Sequence, residues 1–260
     1  VMDGSDTRRG QPSVHRRFAL IHEKASWSGS ANAFGEGAAI LLGDLALTWA
    51  DEMLFLSGLP DVALLHAKPT YDRMRIELMA GQYLDLLEQA RGGGSVERAL
   101  RVARYKAAKY TVEGPLHLGG SLAGAPPNLL ATYSAYGLPL GEAFQLRDDL
   151  LGVFGDPEVT GKPAGDDLRE GKRTVLIALA EERATGAQRS LIRRHLGDPS
   201  LTAAGVADLR EVLSDTGALA HVERLIATLT ETAVEALSDI RDPARSVLAD
   251  LALAATTRRG

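Results

Sequence analysis

The chain has 260 residues, a formal charge of −5, 45% hydrophobic residues, 5% aromatics and no cysteine. The length suits one large domain or two ordinary ones, and the acidic balance argues against nucleic acid as the main partner. The lack of cysteine excludes disulfides and thiolate metal sites and leaves the cytoplasm as the default compartment.

Abundant Ala and Leu with few aromatics point to helices packed on helices, an all-α fold. The opening VMDGSDTRRG lacks the apolar core of a signal peptide. The most apolar stretch, AAILLGDLALTWA, carries Asp44 and is too short to cross a bilayer, so a soluble protein is expected.

Helical periodicity runs from about Ala33 onward. A first long apolar helix is predicted over 34–56. A second covers 68–94, with Pro69 in its first turn and Gly92–Gly94 ending it. Ser95 is placed to cap the next helix, which Gly114-Pro115 should interrupt or kink. The stretch 126–155 is helical with a break expected near Gly137-Leu138-Pro139. Residues 152–173 read as loop, rich in Gly, Pro and Asp at turn positions. Further helices are predicted over 174–186, 187–197, 204–240 and 242–259. No strand, repeat or linker stands out, so residues 1–260 read as one domain.

The chemistry concentrates in AFQLRDDLLGVFGDPEVTGKP. On a helix, Gln145, Asp148, Asp149 and Gly152 share one face. Two neighbouring carboxylates are costly to bury without a cation. Mg²⁺ fits them, because it takes oxygen ligands from one or two carboxylates and completes its octahedron with water and phosphate. Two lysines follow, Lys162 and Lys172, each after a glycine, with Asp166 and Asp167 between them. Lysine is otherwise scarce: Lys24, Lys68, Lys106 and Lys109 are the rest. A compact ammonium suits a diphosphate, and a Gly-rich loop can fold over a ligand. Asp3 precedes the pair Arg8-Arg9, a phosphate-gripping combination. Gln82 and Asp85 lie one turn apart on a long helix. Together these residues compose a Mg²⁺–diphosphate cage.

Five stretches in order, VMDGSDTRRGQPSVHRRF, ILLGDLAL, AGQYLDL, RYKAAKYTVEGPLHLGG and FQLRDDLLGVFGDPEVTGKPAGDDLREGKRT, resemble the trans-isoprenyl diphosphate synthases of the polyprenyl synthetase family. The resemblance covers essentially the whole chain. It implies a single-domain bundle of mostly antiparallel helices around a central cavity. The implied reaction condenses an allylic diphosphate with isopentenyl diphosphate, with Mg²⁺ as cofactor, in a cytoplasmic homodimer.

Residue by residue, the resemblance puts Asp3 at a first metal site and Asp148 and Asp149 at a second. Arg8, Lys106, Gln145, Lys162 and Lys172 fall to the allylic substrate and Arg9 to isopentenyl diphosphate. Gln82 and Asp85 sit near the metal cluster, Asp85 as a metal residue, and Lys109 and Asp167 are placed one layer further out. Two departures from the family pattern stand out. Val1 and Met2 occupy the positions after the first two acids of the first aspartate-rich motif. Gly152 replaces the last acid of the second, so metal binding there is expected to rest on Asp148 and Asp149. The N-terminal helices that precede this motif in family members are absent from residues 1–260, so this span alone is expected not to synthesise prenyl diphosphates at an appreciable rate. Two alternatives stay open: a catalytically silent partner subunit of a synthase, and a terpene cyclase of related fold.

Overall fold

The protein is described from a computed structural model covering residues 1, 2, 5–8, 10–156 and 165–258. Near the N-terminus, β1 (Thr7–Arg8) and β2 (Gln11–Pro12) pair antiparallel, Thr7 opposite Pro12 and Arg8 opposite Gln11. Gly10 turns between them at φ 69°, a left-handed conformation that glycine adopts without steric cost. The expectation of no strand is thereby corrected. Two-residue strands are too short to leave an alternating pattern in the sequence.

Helix α1 (Val14–Lys24) lies before the point where periodicity was expected to begin. It buries only His15, Ala19 and His22, so its apolar stripe is thin. It crosses α2 (Ala31–Phe55) closely. A Cβ on Gly35 would lie 2.2 Å from the His15 carbonyl oxygen, so only glycine permits the approach. Ser30 caps α2 by accepting from the Ala33 N–H at 3.3 Å. Apart from Gly35, α2 buries nothing: Ile40, Leu41 and Met53 are 57%, 69% and 76% exposed.

Helix α3 runs from Asp61 to Arg91, starting eight residues before Pro69, which sits inside it. Proline leaves the carbonyl four residues back unpaired. That residue, Leu65, is exposed, so water can serve its carbonyl. Ser95 caps α4 (Val96–Ala103) as expected, accepting from the Arg98 N–H. The chain then widens into a π-helix over Arg104–Glu113 before α5 (Gly114–Leu122), whose first turn contains Pro115. The predicted irregularity at Gly114-Pro115 is therefore a change of helix type.

Helix α6 (Pro127–Phe154) is continuous through Gly137-Leu138-Pro139, where a break was expected. Tertiary packing overrides local propensity here: α6 is the central rod, touching α4, the π-helix, α5 and the later helices. It also extends to Phe154, three residues into the predicted loop. That loop further contains the short α7 (Asp166–Arg169). Helices α8 (Val175–Arg183) and α9 (Gly186–His195) follow. Thr174 caps α8, and Thr185 with Gln188 forms a reciprocal capping box on α9. The predicted 204–240 helix is two helices, α10 (Ala203–Asp215) and α11 (Ala218–Glu235), parted by Gly217 at φ 70°. Helix α12 (Ala244–Thr257) closes the bundle against α6 and α11.

The main core joins α4, α6, α7, α8, α9, α10 and α11 through Leu146, Leu168, Leu176, Ile192, Leu209 and Leu213, each at most 1% exposed. Full burial of such a side chain contributes about 1.5–3 kcal/mol. A smaller cluster, Tyr136, Leu140, Ala233, Leu237 and Ala252, ties α6 to α11 and α12. Among the described residues, no helix is long and apolar enough to cross a membrane.

Candidate functional site

One end of α6, the middle of α3, the start of the π-helix and the α7–α8 turn converge on a cavity of about 200 Å³. The β1–β2 hairpin brings Arg8 to its rim, and Ser5 beside it donates to Asp166 at 3.3 Å, joining the N-terminal segment to α7. Gln82 and Asp85 from α3, Lys106 from the π-helix, Gln145, Asp148 and Asp149 from α6, and Lys172 all line the cavity. Residues spread over most of the chain thus meet at one point. Asp3, Arg9 and Lys162 lie outside the described residues.

The neighbouring aspartates have different surroundings. Asp148 is part-exposed and accepts from Arg258 at 2.9 Å. Arg258 also lies 4.2 Å over the Phe144 ring, which fixes its plane. Asp149 is buried and accepts from the Gln145 amide at 2.7 Å. Burial pushes the Asp149 carboxyl up to about 7. The nearby Asp167 carboxylate and, less strongly, Asp148 add to that shift, while the Gln145 hydrogen bond and the charge of Lys172 oppose it.

Asp167 stands nearer than expected. It lines the cavity itself, and a Cβ on Gly152 would fall 1.9 Å from its Oδ2. Its carboxylate therefore fills the space that a side chain at 152 would take, so any larger residue there must displace that carboxylate. Lys172 pairs with Asp167 and lies 2.9 Å from Glu170. Burial acts to lower the Lys172 pKa, but the two carboxylates outweigh it and hold the ammonium above its ordinary value. Lys106 Nζ donates to Asp85 Oδ2 at 2.5 Å. Lys109 does not line the cavity. It points along α3 to Glu77 at 2.9 Å.

Two cations escaped the sequence reading. Arg173 lines the cavity, pairs with Glu181 at 3.2 Å and has a buried Nε without a partner. Its signal was available, since it follows Lys172 directly as Arg9 follows Arg8. Arg258 had no local signal, because it meets Asp148 only through the fold.

The donor chemistry fits a hard divalent ion. The site offers carboxylate and amide oxygens, and a cation would offset both the burial that chiefly raises the Asp149 pKa and the repulsion from Asp167 that adds to it. Among the described residues, no three acids or histidines form a ready-made metal cage. The cations Arg8, Lys106, Lys172 and Arg173 frame the same cavity, an arrangement suited to a polyanion. Ala99, Val102 and Ala103 supply an apolar wall beside them.

The sequence profile described as polyprenyl synthetase matches residues 1–214. A geranylgeranyl diphosphate synthase of Mycobacterium tuberculosis is 32% identical over 253 residues, covering 96% of this chain and 67% of its own length. A farnesyl diphosphate synthase of the same species is 36% identical over 178 residues, covering 68% of this chain and 44% of its own. Among solved structures, a geranylgeranyl pyrophosphate synthase of Corynebacterium glutamicum, complexed with isoprenyl diphosphate and magnesium, superposes with a TM-score of 0.96. It is 46% identical and covers 99% of this chain and 73% of its own.

Proposed function

The chain belongs to the polyprenyl synthetase family and is a prenyltransferase, and from that premise we propose how its residues divide the work. An allylic diphosphate binds with its diphosphate in the cavity; its C–O bond breaks, the double bond of isopentenyl diphosphate adds to the allylic carbon, and loss of a proton gives a longer trans-prenyl diphosphate with release of inorganic diphosphate. The observation that carries this reading is the convergence of Asp148, Asp149 and Asp167 with Arg8, Lys106 and Lys172 around one cavity.

Arg8, Lys106 and Lys172 donate to the diphosphate oxygens. The two lysines are already aimed by their acid partners, which lowers the reorganisation needed when charge builds on the leaving group. Gln145 orients Asp149. Asp148, Asp149, Asp85 and Asp3 are the residues that would hold magnesium, and Asp167 supplies a further carboxylate where Gly152 has none. Magnesium, when bound, supplies Lewis-acid stabilisation as the allylic C–O bond ionises. Ala99, Val102 and Ala103 keep water from the allylic carbon. The family resemblance assigns Arg9 to isopentenyl diphosphate and Lys162 to the allylic diphosphate, and Gln82 closes the α3 side.

Residues 1–260 belong to one polyprenyl synthetase domain, without the family's N-terminal helices, and the cytoplasm is the compartment this reading implies. Homodimerisation is carried over from the family resemblance, and the exposed apolar residues of α2 offer a surface for it. The magnesium and isoprenyl diphosphate of the Corynebacterium relative support the cofactor and substrate class. The test is Asp148→Ala in the full chain, assayed with Mg²⁺, an allylic diphosphate and isopentenyl diphosphate. Turnover should fall by at least about 10²-fold with the far-UV spectrum unchanged; near-normal turnover overturns the assignment.

A further inference from the structure

Lys106 sits in a π-helix, a rare form that tertiary contacts must hold in place. The contacts holding it are unusual. On the α3 side, a Cβ on Gly81 would lie 2.4 Å from the Lys106 backbone nitrogen and 2.5 Å from the Tyr105 carbonyl carbon. On the α6 side, a Cβ on Gly141 would lie 2.3 Å from the Ala108 Cα and 2.7 Å from its Cβ. One turn back on α6, Gly137 lies against Glu113, its Cβ position 3.0 Å from the Glu113 Cα. The wide helix is therefore clamped backbone to backbone on both sides, and the clamp closes at residues 106 and 108.

We propose that Gly81 and Gly141 are positioning residues for Lys106: by lacking side chains they let α3 and α6 grip the π-helix, which fixes where the Lys106 ammonium points. Ala107, between the two grips, and Ala108, at the second, are buried, so the segment is hindered from sliding outward to relieve a clash. Carbon atoms pack at about 3.5–4.0 Å, so a methyl at Gly81 forces a shift of about 1 Å at the Lys106 backbone. The Lys106–Asp85 contact of 2.5 Å is made from that backbone, and Nζ moves with it. A misplacement of about 1 Å costs a catalytic group up to about 10²-fold.

This inference rests on Lys106 binding diphosphate, and the experiment separates the two. In the full chain, affinity for inorganic diphosphate with MgCl₂ is measured by calorimetry for wild type, Gly81→Ala, Lys106→Met and the double variant, alongside turnover and melting temperature. Gly81→Ala should weaken diphosphate binding about 10-fold and turnover about 10²-fold. In the Lys106→Met background it should change binding less than about 2-fold, because its target is gone. Gly119→Ala, whose added methyl meets nothing within 4 Å, should behave as wild type.

Equal losses in both backgrounds would make Gly81 merely structural and overturn the inference, as would wild-type behaviour of Gly81→Ala. Unchanged diphosphate affinity in Lys106→Met would instead overturn the role of Lys106 itself. Should Gly81→Ala fail to fold, Gly137→Ala carries the same cycle with its milder contact and an expected loss of about 5-fold; no loss, or the same loss in both backgrounds, overturns the inference there too.

Discussion

Replacing Asp149 by asparagine should make the unliganded protein more stable and the enzyme nearly inactive. Asp149 is buried, and its pKa is pushed up to about 7 from 3.8 by burial first and by Asp167 next. Between those values the folded state holds a proton that the unfolded state has lost, so stability falls as pH rises. The contribution is fully present below pH 3.8 and is lost by the time pH passes about 7. Above pH 7 the ionised group costs the difference of the two values times 1.36 kcal/mol, about 4 kcal/mol as an upper bound.

The asparagine side chain removes that cost while its amide oxygen still accepts from Gln145. At pH 8 without magnesium, urea unfolding should show the Asp149→Asn variant more stable by about 2–4 kcal/mol. At pH 4 the two proteins should be nearly equal. With magnesium and diphosphate the order should reverse, since ligand stabilises only the protein that binds it. The reasoning is refuted if the variant is less stable than wild type at pH 8 in metal-free buffer. It is refuted equally if the stability difference is the same at pH 4 and pH 8.

Lys172→Ala should destabilise the fold by about 3–5 kcal/mol, because it leaves the buried Asp167 and the half-buried Glu170 without their cation; chemical denaturation measures this, and allylic-substrate binding should weaken in parallel. Arg258→Ala should free Asp148 from a competing cation, raising apparent magnesium affinity by up to about 5-fold, as read from the magnesium dependence of diphosphate binding. Gly152→Ala should displace the Asp167 carboxylate and weaken that same magnesium dependence, whereas Gly119→Ala, which meets nothing, should not. Leu209→Ala, at a fully buried position outside the cavity lining, should cost about 2–5 kcal/mol in urea unfolding while leaving the metal dependence of turnover unchanged.

The helical class and most of the helices were legible in the sequence because they rest on short-range rules. Composition and period set the helix type, Ser95 capped where it was expected to, and the shared face of Gln145 and Asp149 appears as a direct hydrogen bond. Such relations depend only on residues three or four apart, which a helix brings together whatever surrounds it. The tertiary structure alone decided the rest. It carried α6 unbroken past Pro139, because packing on every side outweighs one missing N–H. It converted the stretch around Lys106 into a π-helix gripped by distant glycines. It set Asp167 in the space beside Gly152 and brought Arg258 across the fold to Asp148. It also separated two chemically identical neighbours: Asp148 stays part-exposed, while Asp149 is buried with its pKa pushed up to about 7. Burial and through-space charge depend on what the folded chain places around a group, and sequence spacing carries no record of either.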